Sequence, residues 1–222
     1  MHGTGELFSD FMRMMPEPKH IEARHYPTDA SPSYNQLQTT IELFAPTSED
    51  FVLLAESYST PLAIQYAATN PQNLKGLILC AGFATSPIRG WRRSIASFIA
   101  PLAFRLPLPA FAVSRFLLGP HAPASLYTAV RAAIREVKPK VLAARLRQIL
   151  AVDARDKLEK FSVPILYIQA HQDHLVGQSS LEEIQGIKPQ IEVARIEGPH
   201  LIIQREPQQC ADIVTKFLGR LQ

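Results

Sequence analysis

Ser57 lies in Leu53-Leu54-Ala55-Glu56-Ser57-Tyr58-Ser59, an apolar run that breaks into a small-x-Ser-x-small turn ahead of a helix. A serine held on a sharp strand-to-helix turn projects its hydroxyl from the sheet, where it can attack a carbonyl carbon. Small flanking residues are needed because the turn brings backbone against its neighbours; Ala55 and Ser59 meet that need without glycine. A neutral hydroxyl is a poor nucleophile unless a base takes its proton. Two later segments offer that chemistry: His171-Gln172-Asp173-His174 with Asp173, and Gly198-Pro199-His200 with His200. Taken singly, each residue has a plainer reading as a buried turn serine, a turn aspartate and a structural histidine.

What groups them is the element each one follows. Phe51 to Glu56, Pro164 to Ala170 and Ile191 to Ile196 are short, largely apolar runs of strand length, as buried parallel strands are. Open α/β sheets carry their ligands beyond the carboxyl ends of such strands. Ser57 is therefore the expected nucleophile, His200 its base and Asp173 the acid that fixes the imidazole tautomer. The tetrahedral intermediate carries an oxyanion, which backbone N–H groups must meet; Tyr58, opening the helix after Ser57, supplies one.

The remaining pattern predicts strands at His20 to Pro27, half-polar and near a sheet edge, and at Leu74 to Ala81. Helices are predicted at Tyr34 to Ala45, ended by Pro46, at Pro61 to Thr69, at Ser179 to Gln185 and at Pro207 to Leu218. Alternating strands and helices argue for a mostly parallel sheet flanked by helices.

With the chain order Ser57, Asp173, His200, the sequence resembles the α/β-hydrolase fold family, in particular uncharacterised bacterial esterase-like serine hydrolases. The matching pieces are Gly3-Thr4-Gly5-Glu6-Leu7-Phe8, the Ser57 turn with Ala-Glu-Ser-Tyr-Ser in place of Gly-x-Ser-x-Gly, Gln172-Asp173-His174-Leu175-Val176 and Gly198-Pro199-His200-Leu201. The resemblance implies a second oxyanion donor near the N-terminus. Such relatives carry an apolar strand and a Pro-Gly before Gly-Thr-Gly, whereas this sequence opens Met1-His2-Gly3-Thr4-Gly5. The donor is then Thr4, or Met1 if the missing Pro-Gly was the anchor. A mid-sheet strand is expected to be absent, through a late start site, a truncated chain or a differently closed minimal sheet.

Residues 84 to 160 interrupt the alternation and look helical, which the resemblance makes a cap inserted between two core segments, 1–83 and 161–222. This stretch carries fourteen Lys and Arg against four Asp and Glu, a balance of +10 within a chain of +3. Beside that charge lie Trp91 and the apolar run Ile95 to Leu118, with Phe98, Phe104, Phe111 and Phe116. Three readings stay open. Arginines form the solvated outer face of an apolar roof, or the cap touches an anionic membrane, or arginines at the mouth bind an anionic substrate. Arg105, Arg115 and prolines 101, 107 and 109 exclude a membrane-crossing helix, and no nucleic-acid motif accompanies the charge.

At 222 residues and 46% hydrophobic the chain can bury one core plus a cap. Cys80 and Cys210 read as buried thiols in a reducing compartment, and no signal pattern opens the sequence, so a cytoplasmic protein is expected. His171, Asp173 and His174 have metal-ligand chemistry, but the serine reading claims Asp173, so neither metal nor cofactor is expected. The expected activity is hydrolysis of small-molecule carboxylic esters or thioesters through an acyl-enzyme on Ser57. Acyl transfer by the same residues, a non-catalytic binding protein and an inactive fragment are the alternatives; oligomeric state is open.

Overall fold

The computed structural model describes residues 5–17, 20–88, 90, 95 and 110–221. Four parallel strands, β1 (Phe51–Glu56), β2 (Leu74–Cys80), β3 (Ile165–Ala170) and β4 (Glu192–Ile196), lie in the spatial order β1-β2-β3-β4. Register sets Ala55 beside Leu79, Leu79 beside Tyr167 and Gln169 beside Arg195. Side chains alternate across the sheet with period two. Leu77, Leu79, Ile165 and Tyr167 face one layer, while Ile78, Cys80, Leu166 and Ile168 face the other. Both sets are apolar, which is why β2 and β3 read as unbroken hydrophobic runs.

The first layer holds α2 (Tyr34–Phe44), α3 (Thr60–Ala67) and α7 (Gln178–Ile187), with Ala63, Ile64, Leu181 and Ile184 against the strands. The second holds α1 (Ser9–Met14), α8 (Ile202–Arg205) and α9 (Pro207–Leu218), with Phe11, Ile202, Val214 and Phe217. Each buried side chain of this size contributes about 1.5–3 kcal/mol through removal from water. Helix α2 starts on a capping box, in which Gln36 N–H donates to Ser33 Oγ and Ser33 N–H donates to Gln36 Oε1.

Phe51 to Leu54 of β1 are only half-buried, because among the described residues no strand pairs with its outer side. The strand expected over His20 to Pro27 is absent: residues 21–27 run as irregular backbone without a ladder. Its half-polar pattern has another cause. Ile21 packs on the core, while Tyr26 turns inward to Ser59 and Tyr58.

The insertion between β2 and β3 is helical where described. A turn Ala110–Ala112 runs into a π-helix, Val113–Leu118, followed by α4 (Ala124–Glu136), α5 (Pro139–Ala151) and α6 (Arg155–Leu158). Its neck is closed by the Thr85–Asp153 bridge and by Ala154 N–H donating to Ala84 O at 2.9 Å. Helix α5 lies over the residues around Ser57, with Ile149 packed beside Tyr58, Tyr34 and Leu62. The π-helix reaches the histidine loop, where Leu201 N–H donates to Leu117 O at 3.0 Å. Trp91, Phe98 and Phe104 of the aromatic stretch lie outside the described residues. Phe111 and Phe116 are exposed, and Arg115 stacks over the Phe116 ring. Among the described residues no helix is long and apolar enough to cross a membrane.

Candidate active site

Ser57 follows directly on β1 with φ of 52°, a left-handed conformation that a non-glycine residue rarely adopts. The strain turns the chain from strand to helix in one residue, and local contacts hold it. Thr60 Oγ1 lies 2.8 Å from Ser57 O and accepts the Phe83 N–H at 3.0 Å. Ala55 is buried in the turn, and Tyr26 donates to Ser59 Oγ at 2.8 Å.

The loops after β3 and β4 meet Ser57 at the carboxyl ends of the strands. His200 Nε2 lies 2.8 Å from Ser57 Oγ, and His200 Nδ1 lies 2.7 Å from Asp173 Oδ2. The Asp173 and His200 side chains are 2% and 5% exposed, so water does not compete for that pair. Asp173 Oδ1 accepts N–H groups from Leu175 at 2.7 Å and Val176 at 2.9 Å, which fixes the carboxylate plane. Gln172 N–H donates to Gly198 O at 2.9 Å and stitches the two loops together. A Cβ on Gly198 would stand 2.3 Å from Ile202 Cδ1, so a larger residue there would make the Ile202 side chain shift. The three residues predicted from sequence are thus brought into one hydrogen-bonded chain.

Tyr58 is the second residue of the short 3-10 turn Ser57–Ser59 that leads into α3, which places its N–H at the positive end of a helix. Its side chain is fully buried in a cage that the sequence reading missed. Tyr34 stacks on its ring and donates to Tyr58 O at 3.0 Å, and Tyr26 meets the ring edge-on. From helix α5, Gln148 Oε1 accepts the Tyr58 hydroxyl, and the Arg145 guanidinium lies 5.9 Å from the Tyr58 ring centre. Burial pushes the Tyr58 phenol well above its ordinary pKa and lowers that of Arg145. Arg145 corrects the picture of the cap arginines as a solvated face: it is 1% exposed and donates to Pro27 O at 2.7 Å.

Thr4, the expected second oxyanion donor, lies outside the described residues, as does Met1. Asp153, an acid at the neck of the insertion, turns away to Arg155 and is half exposed. His171 and His174 are exposed, and among the described residues no three metal-ligating side chains converge. Glu56, just before Ser57, is buried and accepts from Gln204 Nε2 at 3.1 Å.

A family described as serine aminopeptidase, S33, matches residues 23–196. The chain belongs to that family. Its α/β-hydrolase fold is shared with a hydrolase from Oleispira antarctica, with TM-score 0.82, 12% identity and 99% and 88% of the two chains covered. An esterase from Exiguobacterium antarcticum gives TM-score 0.82, 13% identity and coverage of 98% and 88%. A thermophilic esterase from Thermogutta terrifontis gives 0.78, 17%, 99% and 86%. In sequence the S33 chain is 29% identical over 189 residues to the biotin biosynthesis bifunctional protein BioHC of Cellvibrio japonicus, covering 78% of this chain and 36% of that protein. It therefore spans about a third of the length of that curated relative. The family supports a hydrolase.

Proposed function

We propose that this chain is a serine hydrolase that cleaves small-molecule carboxylic esters or thioesters through an acyl-enzyme on Ser57. The observation that carries the reading is the relay from Ser57 Oγ through His200 to Asp173, at 2.8 and 2.7 Å. Ser57 Oγ attacks the substrate carbonyl carbon as His200 Nε2 takes its proton. Asp173 compensates the imidazolium without itself taking the proton. The tetrahedral oxyanion is met by the Tyr58 N–H and, in this reading, by Thr4. Collapse expels the alcohol or thiol, which leaves with the proton from His200. Water then repeats the sequence on the acyl-enzyme and releases the acid. Losing one oxyanion donor typically costs about 10²- to 10³-fold in rate.

Two neighbours of the same fold are esterases by name, and the relative in biotin biosynthesis serves small-molecule metabolism. The family's aminopeptidase label keeps a second reading, removal of an N-terminal residue from a peptide. That reaction needs a free carboxylate for the substrate ammonium. Of the acids beside Ser57 and His200, Asp173 is paired with His200 and Glu56 is buried against Gln204, which favours the ester.

Intact-mass labelling with a fluorophosphonate, beside Ser57→Ala, tests the nucleophile. One adduct on the native chain and none on the variant is expected; an adduct on both overturns the assignment. Parallel assays with p-nitrophenyl acyl esters and aminoacyl p-nitroanilides separate esterase from peptidase. Added competing alcohols would reveal acyl transfer as a new ester product.

A further inference from the structure

Glu56 and Gln204 leave two buried oxygens without a donor. Glu56 ends β1 and precedes Ser57, and Gln204 lies on α8, the helix that follows His200. Gln204 Nε2 donates to Glu56 Oε2 at 3.1 Å, yet Glu56 Oε1 and Gln204 Oε1 have no hydrogen-bond partner among the described residues. An ionised carboxylate can only accept, so in that form the pair makes one bond and strands two acceptors at about 1–3 kcal/mol each. One proton changes the count. With an O–H on Glu56 Oε1 the pair would hold a donor for Gln204 Oε1, while Gln204 Nε2 still donates to Glu56 Oε2. Carboxylic acid and primary amide are planar groups of matched span, and they close a two-bond ring of this kind.

We propose that Glu56 is held as a neutral carboxylic acid whose two-bond pair with Gln204 is a positioning device, fixing the strand end that carries Ser57 against the helix that follows His200. It rests on the serine-hydrolase reading for its kinetic consequence only. Burial is the main force that raises the Glu56 carboxyl above its ordinary pKa, with the His200 charge and the Gln204 bond opposing it. Among the described residues, the other titratable groups facing it are Asp173 from the loop after β3, Cys80 of β2 and Cys210 of α9. Burial raises both thiols, Cys210 to about 12, so neither brings a negative charge at neutral pH. A neutral Glu56 leaves Asp173 as the sole anion compensating the His200 imidazolium, and the strand end is held by geometry without a second charge.

The test compares Glu56→Gln, Glu56→Ala and Gln204→Ala by fluorophosphonate labelling rate across pH, with thermal unfolding as the check on folding. In Glu56→Gln an amide–amide pair keeps both bonds, so labelling within about twofold of native and an unmoved pH midpoint are expected. Glu56→Ala and Gln204→Ala should each slow labelling about tenfold or more, with the double variant no slower than the worse single. A shift of the midpoint by more than about half a pH unit in Glu56→Gln would mean that Glu56 acts through charge and would overturn the proposal. Native-rate labelling in folded Glu56→Ala would overturn the positioning role. If the native chain takes no label, the serine-hydrolase reading fails by itself. Infrared difference spectra of native against Glu56→Gln then still decide: a protonated-carboxyl C=O band lost in the variant upholds the neutral acid, and its absence from the native chain refutes it.

Discussion

The Tyr58 hydroxyl donates a hydrogen bond to Gln148 Oε1, tying the residue after Ser57 to helix α5 of the insertion between β2 and β3. Gln148 in turn donates through Nε2 to Pro32 O at 2.8 Å, so one side chain joins helix α5, the segment before α2 and the turn at Ser57. The phenol is buried, and removing it strands an acceptor. Tyr58→Phe should destabilise the fold by about 1–3 kcal/mol, a drop of several degrees in Tm for a chain of this size. Differential scanning calorimetry checks this, and an unchanged Tm would show that the bond contributes nothing.

The left-handed backbone of Ser57 is stored strain. A non-glycine residue there costs on the order of 1 kcal/mol, which glycine does not incur. Ser57→Gly should therefore abolish fluorophosphonate labelling while raising Tm by about 2–4 °C. Ser57→Ala keeps the strain and should lose labelling without that gain. A Ser57→Gly variant that melts below Ser57→Ala would contradict the idea that function here is held against stability.

The three residues of the proposed relay were legible because each follows an apolar strand-length run, Ser57 in a small-residue turn and His200 after Gly198-Pro199. Phe51–Glu56 and Pro207–Leu218 coincide with their predicted bounds for the same reason. His20 to Pro27 misled because strand pairing is non-local, and alternation alone cannot tell a ladder from a segment that tucks one tyrosine inward. The supports of the site were not legible. Glu56 and Gln204 are 148 positions apart, and Tyr58 and Gln148 are 90 apart. Nothing in either local sequence announces the partner, and Arg145 looks like its solvated neighbours until Tyr26 and Tyr58 are placed beside it.

The raised Glu56 carboxyl makes a statement about stability and pH. A group whose native pKa is raised contributes stability that is fully present below its unfolded value, near 4.5, and is lost as pH rises through the native value. The native chain should weaken as pH climbs across that window, whereas Glu56→Gln, with no proton to lose, should not share that loss. Urea unfolding of both chains at acidic and alkaline pH measures the difference. Parallel pH curves for the two would mean that Glu56 ionises normally in the folded state.

Asp173 is where tautomer control can be isolated from fold. Its Oδ1 is committed to the N–H groups of Leu175 and Val176, and its Oδ2 faces His200 Nδ1. In Asp173→Asn the amide oxygen stays with the two backbone donors, since the NH2 group cannot accept from them. The NH2 then faces His200 Nδ1 and forces that nitrogen to accept. The imidazole proton moves to Nε2, opposite Ser57 Oγ, where a base is needed and a donor is useless. The expected loss is about 10³- to 10⁴-fold in kcat, with KM little changed and a Tm close to native because both backbone bonds survive. Steady-state kinetics on a p-nitrophenyl ester reads the first two and calorimetry the third. A near-native kcat in a folded Asp173→Asn would show that His200 takes its orientation from elsewhere, and the relay from Asp173 to Ser57 would lose its mechanistic meaning.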